Sequence, residues 1–200
     1  MTSPVLLIAC GALARELVTL QRHNDWPHLK IQCLPAELHN TPARIPGAVA
    51  ETIERYRDAY RHVFVAYADC GTGGALDTML DKYGVERLPG AHCYEFLSGA
   101  SIFRELSDAE PGTFFLTDFL VRHFERLVRT GLGLDRNPEL MPQYFGNYKR
   151  VVYLAQTRSV ELSARAREYA EILGLDYAEH HIGLAPLDRA LREQVVQWPN

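Results

Sequence analysis

The chain has 200 residues, 47% of them hydrophobic and 23% charged, with 21 Lys plus Arg against 25 Asp plus Glu and a formal net charge of −4. That composition excludes a disordered chain, and a mildly acidic sequence without a basic run is not built for phosphate-driven nucleic-acid binding. No apolar run approaches the roughly 18 residues needed to cross a bilayer.

The elements alternate from the start. "PVLLIACG" is a continuous apolar run ending in Gly, as in a parallel strand buried on both faces. It has no preceding Lys or Arg, so it reads as a first strand and not a signal peptide. "ALARELVTLQRH" follows with Leu13, Leu17 and Leu20 at helical spacing, and "LKIQCLP" is a second strand closed by Pro35. "IPGAVAETIERYRDAY" places Pro46 near a helix N-terminus and Ile45, Val49, Ile53 and Tyr56 on one face. "RHVFVAYADCGTGG" is a strand running into a glycine-rich turn, and "ALDTMLDKYG" is a helix closed by Gly84. "VERLPG" is a short fourth strand, and "YEFLSGASIFREL" is read as one helix despite Gly99.

The second half is less regular. "GTFFLTD" is a strand, "FLVRHFERLVRTG" a helix, and "NPELMPQYFGNY" an irregular, aromatic-rich connection. "KRVVYLAQT", "VELSARAREYAEILG", "LDYAEHHIG" and "LDRALREQVVQW" complete the order strand, helix, strand, helix. This alternation predicts an α/β fold, a mostly parallel sheet with helices on both faces. We expect one domain over residues 1–200, with two related lobes sharing the sheet and meeting near residues 108–112.

Three of the four cysteines fall at strand ends. Cys10 ends the first strand, Cys70 ends the third, and Cys93 follows the fourth where a helix begins, whereas Cys33 lies inside the second. Ligand sites of open parallel sheets lie beyond the carboxyl ends of the strands, so the fold itself brings Cys10, Cys70 and Cys93 to one edge. His39, in the loop after the second strand, reaches the same edge, and Glu16 in the first helix leans back toward Cys10. The expected site is a metal centre of three cysteines, or of three cysteines and a histidine, with zinc as the cofactor. The plain alternative is small thiols packed at strand ends.

Other segments carry weaker signals. In "DCGTGG" (Asp69 to Gly74), Gly71, Thr72, Gly73 and Gly74 form a turn suited to a carboxylate or phosphate, although neither a dinucleotide fingerprint nor a Walker loop is present. A metal-free small-molecule binder using that turn is therefore a second reading. A third is a thiol-nucleophile enzyme using Cys70 or Cys93, the latter with a pKa lowered by its helix N-terminus. His92 is expected to face solvent or support the site, and His180 and His181 to lie at the surface. Thr117 or Asp118 is expected to cap the helix that follows.

The segments "ACG", "LPAELHNTPARIP", "YADCGTGG", "ERLPGAHCYEFLSG" and "PGTFFLTDF" together resemble the bacterial and archaeal family of domain of unknown function 1638, over most of residues 5–155. The recurring marks of that family fall on Cys10, His39, Cys70 and Cys93. Ala68 stands where a Gly is usual, and His92 where an Asp is usual. The resemblance implies a place beside corrinoid-dependent methyltransferase systems in one-carbon metabolism. No D-x-H-x-x-G pattern occurs, so corrinoid is not bound directly, and the implied role is an accessory or methyl-accepting partner of those proteins. The expectation is thus a cytoplasmic zinc protein acting on a small molecule, without nucleic-acid or membrane partners. Cys10, Cys70, Cys93 and His39 would be its metal ligands, with His39 and Glu16 as its catalytic pair.

Overall fold

The computed structural model describes residues 5–195. Its elements are β1 (Val5–Cys10), α1 (Ala14–His23), β2 (Leu29–Leu34), α2 (Ile45–Tyr56), β3 (His62–Ala66), α3 (Ala75–Asp81), β4 (Glu86–Arg87), α4 (Cys93–Ser98) and α5 (Ala100–Ala109). They continue with β5 (Thr113–Thr117), α6 (Asp118–Arg122), α7 (Met141–Phe145), β6 (Arg150–Ala155), α8 (Val160–Leu173), β7 (Asp176–His181) and α9 (Ala185–Val195). Pro4 of the first predicted strand and residues 196–198 of the last predicted helix lie outside the described residues.

The fold is α/β, and every strand pair is parallel. The strands do not share one sheet, however. They form a four-stranded sheet in the order β2-β1-β3-β4 and a three-stranded sheet in the order β5-β6-β7. The chain accordingly divides into two compact units, one of residues 1–96 and 187–200, the other of residues 97–186. The division falls within α4 and α9, not near residues 108–112. The first sheet ends at β4, a strand of only two residues.

In the first unit β1 is an inner strand and is buried along its whole length, which explains its unbroken apolar run. Ile45, Val49 and Ile53 of α2 are buried as their spacing predicts. Each such side chain contributes about 1.5–3 kcal/mol by leaving water.

The second unit packs Leu116, Val121, Phe124, Val151, Tyr153, Ala166 and Tyr169 into its own core. Phe124 and Tyr169 stack with centroids 4.0 Å apart. Two predicted helices are interrupted here or at its border. Gly99 adopts φ +89°, ψ 138°, which no helix accommodates, so α4 and α5 are separate. The run after Thr117 breaks at His123 and continues as a π-helical turn over Glu125–Thr130. The aromatic-rich connection contains the short helix α7.

Candidate metal centre

The site lies wholly in the first unit, beyond the carboxyl ends of β1, β2 and β3. Cys10 is the last residue of β1, and its Sγ accepts from the Ala12 N–H at 3.4 Å. The chain then passes so close to β2 that a Cβ on Gly11 would sit 2.9 Å from the Leu34 carbonyl oxygen. Only glycine fits there. Past Pro35, residues Ala36–Asn40 form a short 3-10 helix that carries His39.

Beyond β3 the run Tyr67–Ala68 stays fully buried, and the chain then turns at Cys70, a non-glycine residue with φ +50°. The turn is held from both sides. The Asp69 carboxylate accepts from Thr72 Oγ1 at 2.6 Å, from Gly74 N–H at 2.8 Å and from Gly73 N–H at 3.0 Å. The Asp69 and Cys70 N–H groups donate to the Gly90 and Ala91 carbonyls at 3.1 and 2.9 Å. Arg87 forks onto Asp77 at 2.5 and 2.8 Å and donates to the Leu88 carbonyl at 2.8 Å, fixing the loop that leads to Cys93. These bonds bring Cys70 and Cys93 together across 23 residues of sequence.

The result is a compact donor set. One ligand atom each from His39, Cys70 and Cys93 lies within 4.8 Å of the others. Cys70 Sγ and Cys93 Sγ are 2.9 Å apart as free thiols, both buried. Cys10 Sγ stands 3.5 Å from His39 Nδ1, beside this set but outside it. A zinc–sulfur bond of about 2.3 Å implies ligand separations of about 3.8 Å around a tetrahedron. The three donors could hold a metal ion, the two sulfurs opening by less than 1 Å to reach that separation. Two thiolates and an imidazole are donors for a soft or borderline ion.

Electrostatics concentrates charge on one thiol. The hydrogen bond from Cys93, and then the imidazole of His39, hold Cys70 down to about 4 despite its burial. Burial opposes a charged His39, but hydrogen bonds to Cys10 and Cys70 prevail and push it up to about 10. Cys93 goes the opposite way from the sequence expectation. Its hydrogen bond to Cys70 and its burial raise it, and α4 is a single six-residue helix that does not offset them. Burial lowers His92, whose ring lies 6.2 Å from His39 and stacks on Tyr94 at 4.1 Å.

The remaining predicted residues fall as follows. Glu16 is buried, 8% exposed, in the first turn of α1. Cys33 is half-buried within β2, and His180 and His181 are exposed. Gly71, Thr72, Gly73 and Gly74 form the turn after Cys70, where the Gly73 and Gly74 amides and the Thr72 hydroxyl are engaged by Asp69. In the second unit Thr117 does cap α6, its Oγ1 accepting from Leu120 N–H. Sequence reasoning missed Tyr67, whose ring lies nearly parallel to His39 at 6.4 Å. A tyrosine inside a fully apolar strand run was the available signal, because a buried hydroxyl needs a partner.

The family described as protein of unknown function (DUF1638) matches residues 33–191. The chain belongs to that family. The match covers His39, Cys70 and Cys93, whereas Cys10 and Glu16 precede it. No curated protein matches the sequence. Among the described residues, no helix is long and apolar enough to cross a membrane.

Proposed function

We propose that the chain is a zinc-binding protein whose site activates a small thiol for methyl transfer, in partnership with corrinoid-dependent methyltransferase proteins of one-carbon metabolism. What supports the reading is one observation: the His39, Cys70 and Cys93 donors lie within 4.8 Å of one another. Zinc in such a setting lowers the pKa of a bound thiol and keeps its sulfur nucleophilic. A bound ion would displace the protons of Cys93 and His39, so that Cys70 and Cys93 would supply two negative charges and His39 none, neutralising the ion. Cys10, 3.5 Å from His39, is placed to add a third thiolate or to border the remaining position. Glu16, buried at the start of α1, serves this reading as the group that orients His39.

The reaction would be a displacement. A substrate thiol releases its proton to solvent, its sulfur forms a bond to the methyl carbon, and the bond from that carbon to the donor breaks with its electron pair on the donor. Metal analysis of the purified protein tests the site. The expected result is one equivalent of zinc, lost from Cys70→Ser and Cys93→Ser. A metal-free protein that cannot be reloaded overturns the reading.

A second reading is favoured by one further observation. Cys70 sits at φ +50° shortly after a strand, and the thiolate it carries has His39 as its imidazole partner. Strained residues cluster at reactive positions, and a thiolate–imidazolium pair is a nucleophile in its own right. Iodoacetamide separates the two. A zinc ligand is protected until a chelator is added, whereas a catalytic thiolate in the purified protein is alkylated at Cys70 without one.

A further inference from the structure

Tyr67 has no role in the site described so far, yet it is fully buried within it. The residue is 0% exposed, three positions before Cys70, and its ring lies at 18° to that of His39. Tyr153, likewise 0% exposed, donates its hydroxyl to Asp118 at 2.6 Å. The Tyr67 hydroxyl has no partner within hydrogen-bond distance among the described residues. Buried tyrosine hydroxyls nearly always find one, so an orphan beside a cluster of donors marks where something else binds. A phenol in that position has a hydrogen to donate to an acceptor.

We propose that Tyr67 donates its hydroxyl hydrogen to a small thiolate ligand held beside the His39, Cys70 and Cys93 donors, and so selects the ligands this site accepts. The proposal rests on the metal reading above and adds a selecting residue to it. A hydrogen bond to a charged acceptor in a water-poor site is stronger than one between neutral groups. A ligand without a compact electron-rich atom facing Tyr67 would leave the hydroxyl unsatisfied and would bind less well.

Cobalt(II) provides the readout, because sulfur bound to it absorbs in the near ultraviolet. Cobalt-loaded wild-type protein is titrated with 2-mercaptoethanol, and in parallel with acetate. Tyr67→Phe, which keeps the ring against His39, should hold the same one equivalent of cobalt and bind the thiol about tenfold more weakly, or about 1.4 kcal/mol. Tyr144→Phe, at an exposed position in the second unit, should leave thiol affinity unchanged. Equal thiol affinity in Tyr67→Phe and wild type overturns the proposal. So does a wild-type protein that binds cobalt but no thiol, and so does a Tyr67 effect seen with acetate alone. Failure of the wild type to take up cobalt at all is a different result, and it defeats the metal reading instead.

Discussion

Asp69 and Cys70 are neighbours with opposite duties. Asp69 gathers the turn, and the hydrogen bond from Thr72, then those from Gly74 and Gly73, hold its carboxyl down to about 2. A carboxyl whose folded value is depressed stabilises the fold above its ordinary value near 3.8, and that contribution fades as pH falls toward about 2. Asp69→Asn should therefore be less stable than wild type at neutral pH, with the gap closing between about pH 4 and pH 2. Urea unfolding across that range checks it. Cys10 allows a sharper distinction, since it stands outside the three-atom set. Cys10→Ser should keep one equivalent of zinc and exchange it faster, unlike Cys70→Ser, which should lose it. Zinc content after overnight dialysis against a weak chelator tells them apart.

At the scale of elements, helix ends decide where chain segments go. Gly99 separates α4 from α5 at φ +89°, a conformation that side chains with a Cβ adopt at a cost of about 1–3 kcal/mol. Gly99→Ala should destabilise by that amount in urea unfolding, although Gly→Ala in a continuous helix would stabilise it. α8 is capped by Ser159, whose Oγ accepts from the Leu162 N–H at 3.3 Å. Ser159→Ala should cost about 1 kcal/mol. Both positions look ordinary in the sequence. The periodicity of "YEFLSGASIFREL" runs through Gly99 without a break, because apolar spacing reports which face is buried and not which dihedral a glycine adopts.

On the scale of the whole molecule, two parallel sheets in two units each place polar side chains beyond their carboxyl strand ends, but to different effect. In the second unit Asp118, fully buried, accepts from Thr157 Oγ1 at 2.5 Å, Tyr153 hydroxyl at 2.6 Å and Gln156 N–H at 3.0 Å. Arg122 lies 3.6 Å away. Each of these partners comes from β6, the residues just after it, or α6, so this carboxylate ties strand to helix. Removing it leaves the buried Tyr153 hydroxyl and Gln156 N–H unmatched. Asp118→Ala should cost about 3–5 kcal/mol in chemical denaturation. Its folded fraction should still bind zinc in full, because none of the His39, Cys70 and Cys93 donors belongs to that unit.

Much of this was legible in the residues themselves. Continuous apolar runs such as Val5–Cys10 specify buried parallel strands, and strands alternating with helices specify the α/β class, because burial and connection geometry leave few other solutions. The positions of Cys10, Cys70 and Cys93 at strand ends were enough to predict a shared edge, with His39 on it. Which sulfur holds the charge was not legible. Cys70 is the acidic thiol because folding sets Cys93 and His39 against it, and Cys93 is raised by the same contact. The engagement of the Gly73 and Gly74 amides by Asp69, the split into two sheets and the orphan hydroxyl of Tyr67 are likewise products of tertiary packing. Periodicity and spacing describe a chain's relation to water, residue by residue. Hydrogen-bond partners, ligand sets and charge distribution depend on distances between residues far apart in sequence, and only the folded chain sets those distances.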